Sequence, residues 1–317
     1  MTDTQNEVFK TPVNKIRLFE HGAPGSQNLK LTRKYYTEDM PDGRVKHIVQ
    51  NITDPDIVPY IPDGIGNSTD RQRIPAVLII PGGAFRRLVY NFEGEDVAKW
   101  LNSMGIAAFV LECRLPSDEH DNAEDVPLID AMRAMRVIRG RAQEFGIDEA
   151  KIGVMGFSAG GFMAALLSTA YESDVYVDYK YKDEYDKLSA RPDFAVCSYP
   201  VISIDDCIEA GKRYMSEEQV LERISDGKAK ILHKYNPDKL VRQDMPPVFI
   251  CETDDDRTTL SENSVGFYMA ARKAGVSAEL HIFRTGGHGY GCGDDFAQTG
   301  EWKVLFTKWI KSIGIIS

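Results

Sequence analysis

The string Gly156-Phe157-Ser158-Ala159-Gly160, backed by Gly161, is a G-x-S-x-G pattern. An apolar β-like run, Ile152-Gly153-Val154-Met155, leads into it, and an Ala- and Leu-rich stretch of helical length leads out from Ala159. That is the strand–turn–helix context in which a nucleophilic serine is presented. Glycines are required because a strand turning at once into a helix strains its serine and crowds the neighbours, so side chains at 156 or 160 would collide. The helix N-terminus behind Ser158 aims free N–H groups at developing negative charge. A hydroxyl is a weak nucleophile at neutral pH and needs a base, and the base needs an orienting acid. Of the six histidines, His288 is best placed, in the glycine-rich Gly286-Gly287-His288-Gly289-Tyr290 after the strand-like run Glu279 to Phe283. His281 alternates within that run and is expected to be packed. The acid is expected after the run Val248 to Cys251, in Glu252-Thr253-Asp254-Asp255-Asp256, which gives the chain order Ser, Asp, His. A position farther from the strand end lets the loop curl toward the histidine, which favours Asp256; Asp254 and Asp255 would face solvent or cap the helix near Ser261 and Glu262.

An acyl-transfer intermediate carries an oxyanion that preorganised donors must meet. Pro81-Gly82-Gly83-Ala84-Phe85 follows the apolar run Ala76 to Ile80, and the expected donors are the backbone N–H groups of Gly83, Ala84 and Ala159. Phe85 and Phe157 are expected to contact substrate and narrow the site toward short acyl chains. Arg86, Arg87, Arg114, Glu93, Glu95 and Asp96 form a charge-rich set near this loop, expected to be a structural ion-pair network.

These residues must be positioned by the elements between them. From about residue 74, short apolar runs alternate with amphipathic segments of helical length, the pattern of a mostly parallel sheet covered by helices on both faces. The strands fall near Ala76 to Ile80, Ala107 to Leu111, Ile152 to Met155, Phe194 to Ser198, Val248 to Cys251 and Glu279 to Phe283. Helices are expected over Glu93 to Met104, Pro127 to Phe145, Ala159 to Ala170, Ser261 to Lys273 and Glu301 to Lys311. Residues 1–73 are expected to be antiparallel strands and loops on one edge of the same sheet, with Val45 to Ile52 the best strand and Pro55, Pro59 and Pro62 breaking the segment after it. With no repeat and no linker, residues 1–317 form a single α/β domain in this reading. Residues 171–190 and 203–244 are candidate insertions over the C-terminal edge of the sheet, where open α/β folds place their ligand crevices.

With 43% hydrophobic and 27% charged residues the chain has the composition of an ordinary globular protein. The net charge of −10 argues against nucleic acid or an anionic lipid surface as partner, since both need clustered Lys and Arg. A neutral or weakly charged small molecule fits better. Met1 to Lys10 is polar, without a signal-like apolar segment, and no run approaches the roughly 18 residues that span a bilayer, so a cytoplasmic location is expected. The five cysteines, Cys113, Cys197, Cys207, Cys251 and Cys292, are odd in number and lack C-x-x-C spacing, so neither a disulfide framework nor a zinc site is suggested and buried free thiols are expected.

Several of these motifs together resemble the bacterial acetylesterase and acetyl-xylan-esterase-like α/β-hydrolases, relatives of the hormone-sensitive-lipase group. The resemblance covers roughly residues 74 to 315. It rests on Pro81-Gly82-Gly83, Glu93-Gly94-Glu95-Asp96 with Trp100-Leu101-Asn102, Arg114-Leu115-Pro116, Gly156 to Gly161, and Gly286-Gly287-His288-Gly289. It implies an α/β-hydrolase fold, a Ser-His-Asp triad, esters as substrates, commonly short acyl groups on carbohydrates, and no cofactor. The family pattern sets the acid just before a residue-Val-Val segment, here Arg257-Thr258-Thr259, which again selects Asp256. Pro81 replaces the His of the related lipases, Cys113 a frequent Tyr, and Thr258-Thr259-Leu260 the usual Val-Val-Pro, differences that bear on substrate preference. The alternatives are a peptidase of prolyl-oligopeptidase type, which a propeller-length N-terminal region would accompany, and a catalytically silent binding module, which would lack a triad member.

Overall fold

The structure is a computed structural model, and it describes residue 9 and residues 13–65, 73–213, 216, 218–219, 229–293 and 298–317. Its strands are β1 (Ile16–Arg17), β2 (Lys34–Asp39), β3 (Val45–Gln50), β4 (Asp56–Tyr60), β5 (Ile74–Ile80), β6 (Leu88–Val89), β7 (Ala107–Glu112), β8 (Ile147–Phe157), β9 (Ala195–Ser198), β10 (Val248–Thr253) and β11 (Ala278–Phe283). Eight of these form one sheet in the order β1-β4-β7-β5-β8-β9-β10-β11. Only the β1–β4 and β4–β7 pairs are antiparallel; from β7 onward the neighbours run parallel. β5, β7, β9 and β10 are buried almost throughout, as strands covered on both faces must be.

The helices are α1 (Asp96–Ser103), entered through a π-helical turn at Asn91–Glu95, α2 (Val126–Gly140), α3 (Ala142–Phe145), α4 (Ala159–Ala170), α5 (Ile204–Lys212), α6 (Ala229–Lys234), α7 (Ser261–Lys273) and α8 (Trp302–Ser312). α1 meets α8 through Trp100, whose ring lies edge-on to Trp302 and Phe306 at 4.9 and 5.4 Å. α2 packs against α4. The expected strands and helices agree with these bounds to within a few residues, apart from β8, which begins at Ile147 and not at Ile152, and the helix expected over Pro127 to Phe145, which is divided into α2 and α3 at Arg141.

The N-terminal region departs from expectation in two respects. β1 and β4 extend the edge of the main sheet, whereas β2, β3 and β6 form a separate three-stranded antiparallel sheet. β2, KYYTED, is too polar for a strand buried on both faces. β4 forms although it contains Pro59, because its outer neighbour β1 pairs only with Ile57 and Asp56, so the proline stands where the outer edge asks for no N–H. Buried ion pairs seal this region onto the sheet: Glu112 at the end of β7, fully buried, binds Lys15 at 2.6 Å and Arg33 at 2.7 Å.

Of the two candidate insertions, residues 171–190 pack against α2. Arg133 binds Asp183 and Asp186, Arg136 bonds Tyr176 and the Leu188 carbonyl, and Gly140 at the far end of α2 faces Tyr185 and Leu188. The arginine face of α2 needs those carboxylates and aromatic rings, which holds the stretch to the helix. Residues 203–244 leave the sheet from the C-terminal end of β9 and reach the start of α2, where Lys234 binds Asp125 at 2.7 Å; residues 220–228 of this stretch lie outside the described residues. Cys113, Cys197, Cys251 and Cys292 are buried free thiols, while the side chain of Cys207 lies outside the described residues. Among the described residues no helix is long and apolar enough to cross a membrane.

Candidate active site

Strand register gathers the expected residues at one edge. Ile80 of β5 stands level with Gly156 of β8, Phe157 with Ser198 of β9, and Thr253 of β10 with Phe283 of β11. The loops that follow β5, β8, β10 and β11 therefore leave the same edge of the sheet, and they carry Gly82–Phe85, Ser158, Asp256 and His288.

Ser158 joins β8 to α4 with φ 54° and ψ −118°, a backbone conformation that costs a non-glycine residue of order 1–3 kcal/mol. The surroundings enforce it. A Cβ on Gly156 would come within 1.9 Å of the Gly160 carbonyl oxygen, and one on Gly160 within 2.0 Å of the Ile80 oxygen, so the elbow closes only with glycine at both positions. The Ser158 N–H donates to the Ser198 carbonyl at 3.0 Å, which ties the turn to β9.

A continuous hydrogen-bonded chain runs from this serine. Ser158 Oγ is 2.8 Å from His288 Nε2, and His288 Nδ1 is 2.6 Å from Asp256 Oδ2. Asp256 is buried and well supplied with donors: Oδ1 accepts the Thr258 and Thr259 N–H groups at 2.7 and 2.9 Å, and Oδ2 accepts the Thr259 hydroxyl at 3.0 Å. Burial pushes its pKa up, but the hydrogen bond and charge of His288 and the two threonine N–H groups outweigh burial and hold the carboxyl below its ordinary value. Beside it, burial and the Asp256 charge push Glu252 well above the usual carboxylate range. Asp254 and Asp255 are exposed. Both were expected to face solvent or cap the helix near Ser261; Asp255, besides being exposed, accepts the Gly286 and Gly287 N–H groups at 2.9 and 2.8 Å. A glycine-rich loop offers unpaired N–H groups, and this carboxylate takes up two of them just before His288. His281 is half-buried, bonded to Glu279 and packed on Phe249.

The loop after β5 curls tightly. Gly83 has φ +138°, Ala84 +57° and Phe85 +60°, and the Arg86 and Arg87 N–H groups return to the Gly83 carbonyl. A Cβ on Gly82 would lie 2.9 Å from the Ser158 Cβ, so the loop lies directly against the serine. The Gly82 N–H is spent on Glu93 at 2.8 Å. Phe85 is buried edge-on to Phe162 and, with Ala159, Leu115, Pro116, Pro127 and Met163, lines a small apolar cavity of about 10 Å³. Phe157 requires a correction as a substrate contact. It is fully buried and its ring packs with Trp302 and Tyr199, because the last residue of β8 alternates into the layer beneath the sheet while Ser158 turns out of it.

Three members of the charge-rich set form structural ion pairs with partners outside it. Arg114 binds Asp130, Arg87 binds Glu38, and Glu95 binds Lys99. Glu93 faces Gly82 and the Tyr199 hydroxyl, 3.0 Å from its Oε1. Sequence reasoning missed Glu93, Tyr199 and Thr259 as parts of the site. Thr259 was legible as the residue three beyond the acid; the other two meet across 106 residues of chain, and no local pattern announces that contact.

Among the described residues no group of three or more His, Cys, Asp or Glu side chains could hold a metal ion. What the assembled groups can perform is acyl transfer: a hydroxyl in contact with an imidazole, a carboxylate behind it, and backbone N–H groups beside it.

Comparison with known proteins points the same way. Residues 65–270 match the BD-FAE family model. The chain is 31% identical over 240 residues to an acetylxylan esterase of Xylanibacter ruminicola, covering 75% of this chain and 45% of that protein. It is 31% identical over 227 residues to the endo-1,4-beta-xylanase B of Butyrivibrio fibrisolvens, covering 71% of this chain and 34% of that protein. It thus spans less than half the length of these two relatives. A solved structure, the acetyl ester-xyloside bifunctional hydrolase from Caldicellulosiruptor lactoaceticus, superposes with a TM-score of 0.71 at 35% identity, covering 96% of this chain and 97% of that one. The fold is that of the α/β-hydrolase esterases, and the chain belongs to the BD-FAE family.

Proposed function

We propose that this protein is a serine esterase that hydrolyses carboxylic esters with short acyl groups, acetyl esters of carbohydrates in particular, through an acyl-enzyme on Ser158. The observation that carries the reading is the unbroken chain Asp256–His288–Ser158, with contacts of 2.6 and 2.8 Å. His288 Nε2 takes the proton of Ser158 as Oγ attacks the ester carbonyl, and Asp256 holds the imidazole in the required tautomer. The N–H groups of Gly83, Ala84 and Ala159 receive the oxyanion. His288 then returns the proton to the leaving alcohol, and water, activated by the same imidazole, releases the acid.

The small cavity beside Phe85 and Ala159 supports a short acyl group, and the names of the acetylxylan esterase and the acetyl ester-xyloside hydrolase support a sugar alcohol. A roomy acyl pocket would gain about 0.8 kcal/mol per buried methylene and favour longer chains, so chain length discriminates. Acetate release from acetylated xylo-oligosaccharides and kcat/KM on 4-nitrophenyl acetate and octanoate test the proposal together. Acetate release, with the acetate ester preferred, is expected. Octanoate turned over faster would remove the short-acyl assignment, and intact acetylated oligosaccharide would remove the carbohydrate assignment.

A further inference from the structure

Glu93 is a buried acid that the Ser–His–Asp chain does not use, and its two oxygens go to different parts of the site. Oε2 accepts the N–H of Gly82 at 2.8 Å, at the start of the loop lying on Ser158, and Oε1 accepts the Tyr199 hydroxyl at 3.0 Å. The Tyr199 hydroxyl accepts in turn the N–H of Gly291 at 3.0 Å, in the histidine loop. The Tyr199 ring stands edge-on to the His288 ring with centroids 5.0 Å apart. Tyr199 holds this place with φ 38°, a region a bulky residue enters only when its surroundings compel it.

We propose that Glu93 is a positioning residue: its carboxylate fixes the loop at Gly82 and the histidine loop at Gly291 relative to each other, and its buried negative charge favours the imidazolium that His288 becomes. The inference rests on Ser158 and His288 acting as nucleophile and base. Both Glu93 oxygens face donors, which is the arrangement of a carboxylate. Burial raises its pKa above the ordinary carboxylate value, against the pull of His288, the Tyr199 hydroxyl, the Gly82 N–H and Lys46 on β3, so it is the donors facing both oxygens that favour the ionised form. His288 is also faced by Asp256 from the β10 loop, by the Thr259 hydroxyl and by Ser158, so Glu93 is a second acid acting on a histidine that Asp256 already orients. A mere strut would tie the loops without touching the proton equilibrium of the imidazole, and this separates the two roles.

The test uses Glu93→Gln, Glu93→Asp and Tyr199→Phe in the full chain, with folding checked by thermal melting and 4-nitrophenyl acetate as substrate. Glu93→Gln keeps the shape and loses the charge. Its kcat is expected to fall about 10- to 100-fold, the range of one charge-assisted hydrogen bond, with KM changed little. The acid limb of its kcat/KM profile is expected to move to lower pH by roughly half a unit, because the imidazolium has lost an anion. Glu93→Asp is expected to restore the wild-type limb in part, and Tyr199→Phe to lower kcat while leaving the limb in place. Wild-type kcat in Glu93→Gln, or a fall with an unmoved limb, would overturn the proposal. Should Glu93→Gln fail to fold, wild-type kcat in Tyr199→Phe would overturn it equally. A wild-type protein without esterase activity, or with activity that survives Ser158→Ala, would instead overturn the reading of the site on which this inference stands.

Discussion

At the scale of single residues, the three consecutive aspartates illustrate how environment assigns roles to identical side chains. Asp256 is buried, receives Thr258, Thr259 and His288, and is held ionised. Asp255 is exposed and receives the glycine N–H groups ahead of the histidine, and Asp254 is exposed one residue from the end of β10. Asp256→Asn should keep the fold, favour the wrong imidazole tautomer, and lower kcat by about 10⁴ by analogy with serine proteases. Asp255→Asn should cost about 10-fold or less, since an amide oxygen still accepts the Gly286 and Gly287 N–H groups, and Asp254→Asn should be neutral. Steady-state kinetics of the three variants gives the ranking, and a crippled Asp255→Asn beside an active Asp256→Asn would reassign the acid. Ser158 and His288 stood out in the sequence because glycines at fixed offsets are a local steric requirement, visible without the fold. Glu93 and Tyr199 were invisible as site residues because their significance is a contact across the sheet edge, and Phe157 was misjudged because adjacency to Ser158 in sequence says nothing about which side of the strand it occupies.

At the scale of elements, the loop after β7 is held to α2 by a clamp whose acid lies outside the charge-rich set. Arg114 and Asp130 are both fully buried, with Arg114 Nη2 at 2.7 Å from Asp130 Oδ1 and the Arg114 N–H at 2.8 Å from Oδ2. Arg114 also bonds Ser26 Oγ at 2.8 Å and the Pro24 carbonyl, so one guanidinium fastens the N-terminal segment, the β7 loop and α2. Breaking a buried pair strands a charge, and Asp130→Ala should destabilise the protein by about 3–5 kcal/mol, read from urea unfolding. A loss under about 1 kcal/mol would mean that the other partners suffice. The central strands were legible because burial on both faces leaves continuous apolar runs, as in Ile74–Ile80. The β2–β3–β6 sheet was not, since the pairing of Ile48 and Val49 with Val89 and Leu88 joins segments some 40 residues apart with no shared turn. The contacts of residues 171–190 were not legible for a related reason: their Tyr and Asp content marked them as unusual, but their partners are arginines of α2 some 40 to 50 residues earlier.

At the scale of the whole molecule, a sheet of eight strands carries the proposed nucleophile, base, acid and oxyanion loop on four separate connections that converge at one edge, as open α/β sheets favour. A net charge of −10 leaves such a site suited to neutral esters more than to polyanions. The central claim is that Ser158 is the nucleophile, and the most direct measurement is the intact and peptide mass of the protein after reaction with a fluorophosphonate. The account predicts a single adduct on Ser158, esterase activity lost in step with labelling, and a Ser158→Ala variant that is folded, unlabelled and reduced in kcat by about 10⁴ to 10⁶. An adduct on another residue, or a Ser158→Ala variant that keeps its esterase activity, would contradict it.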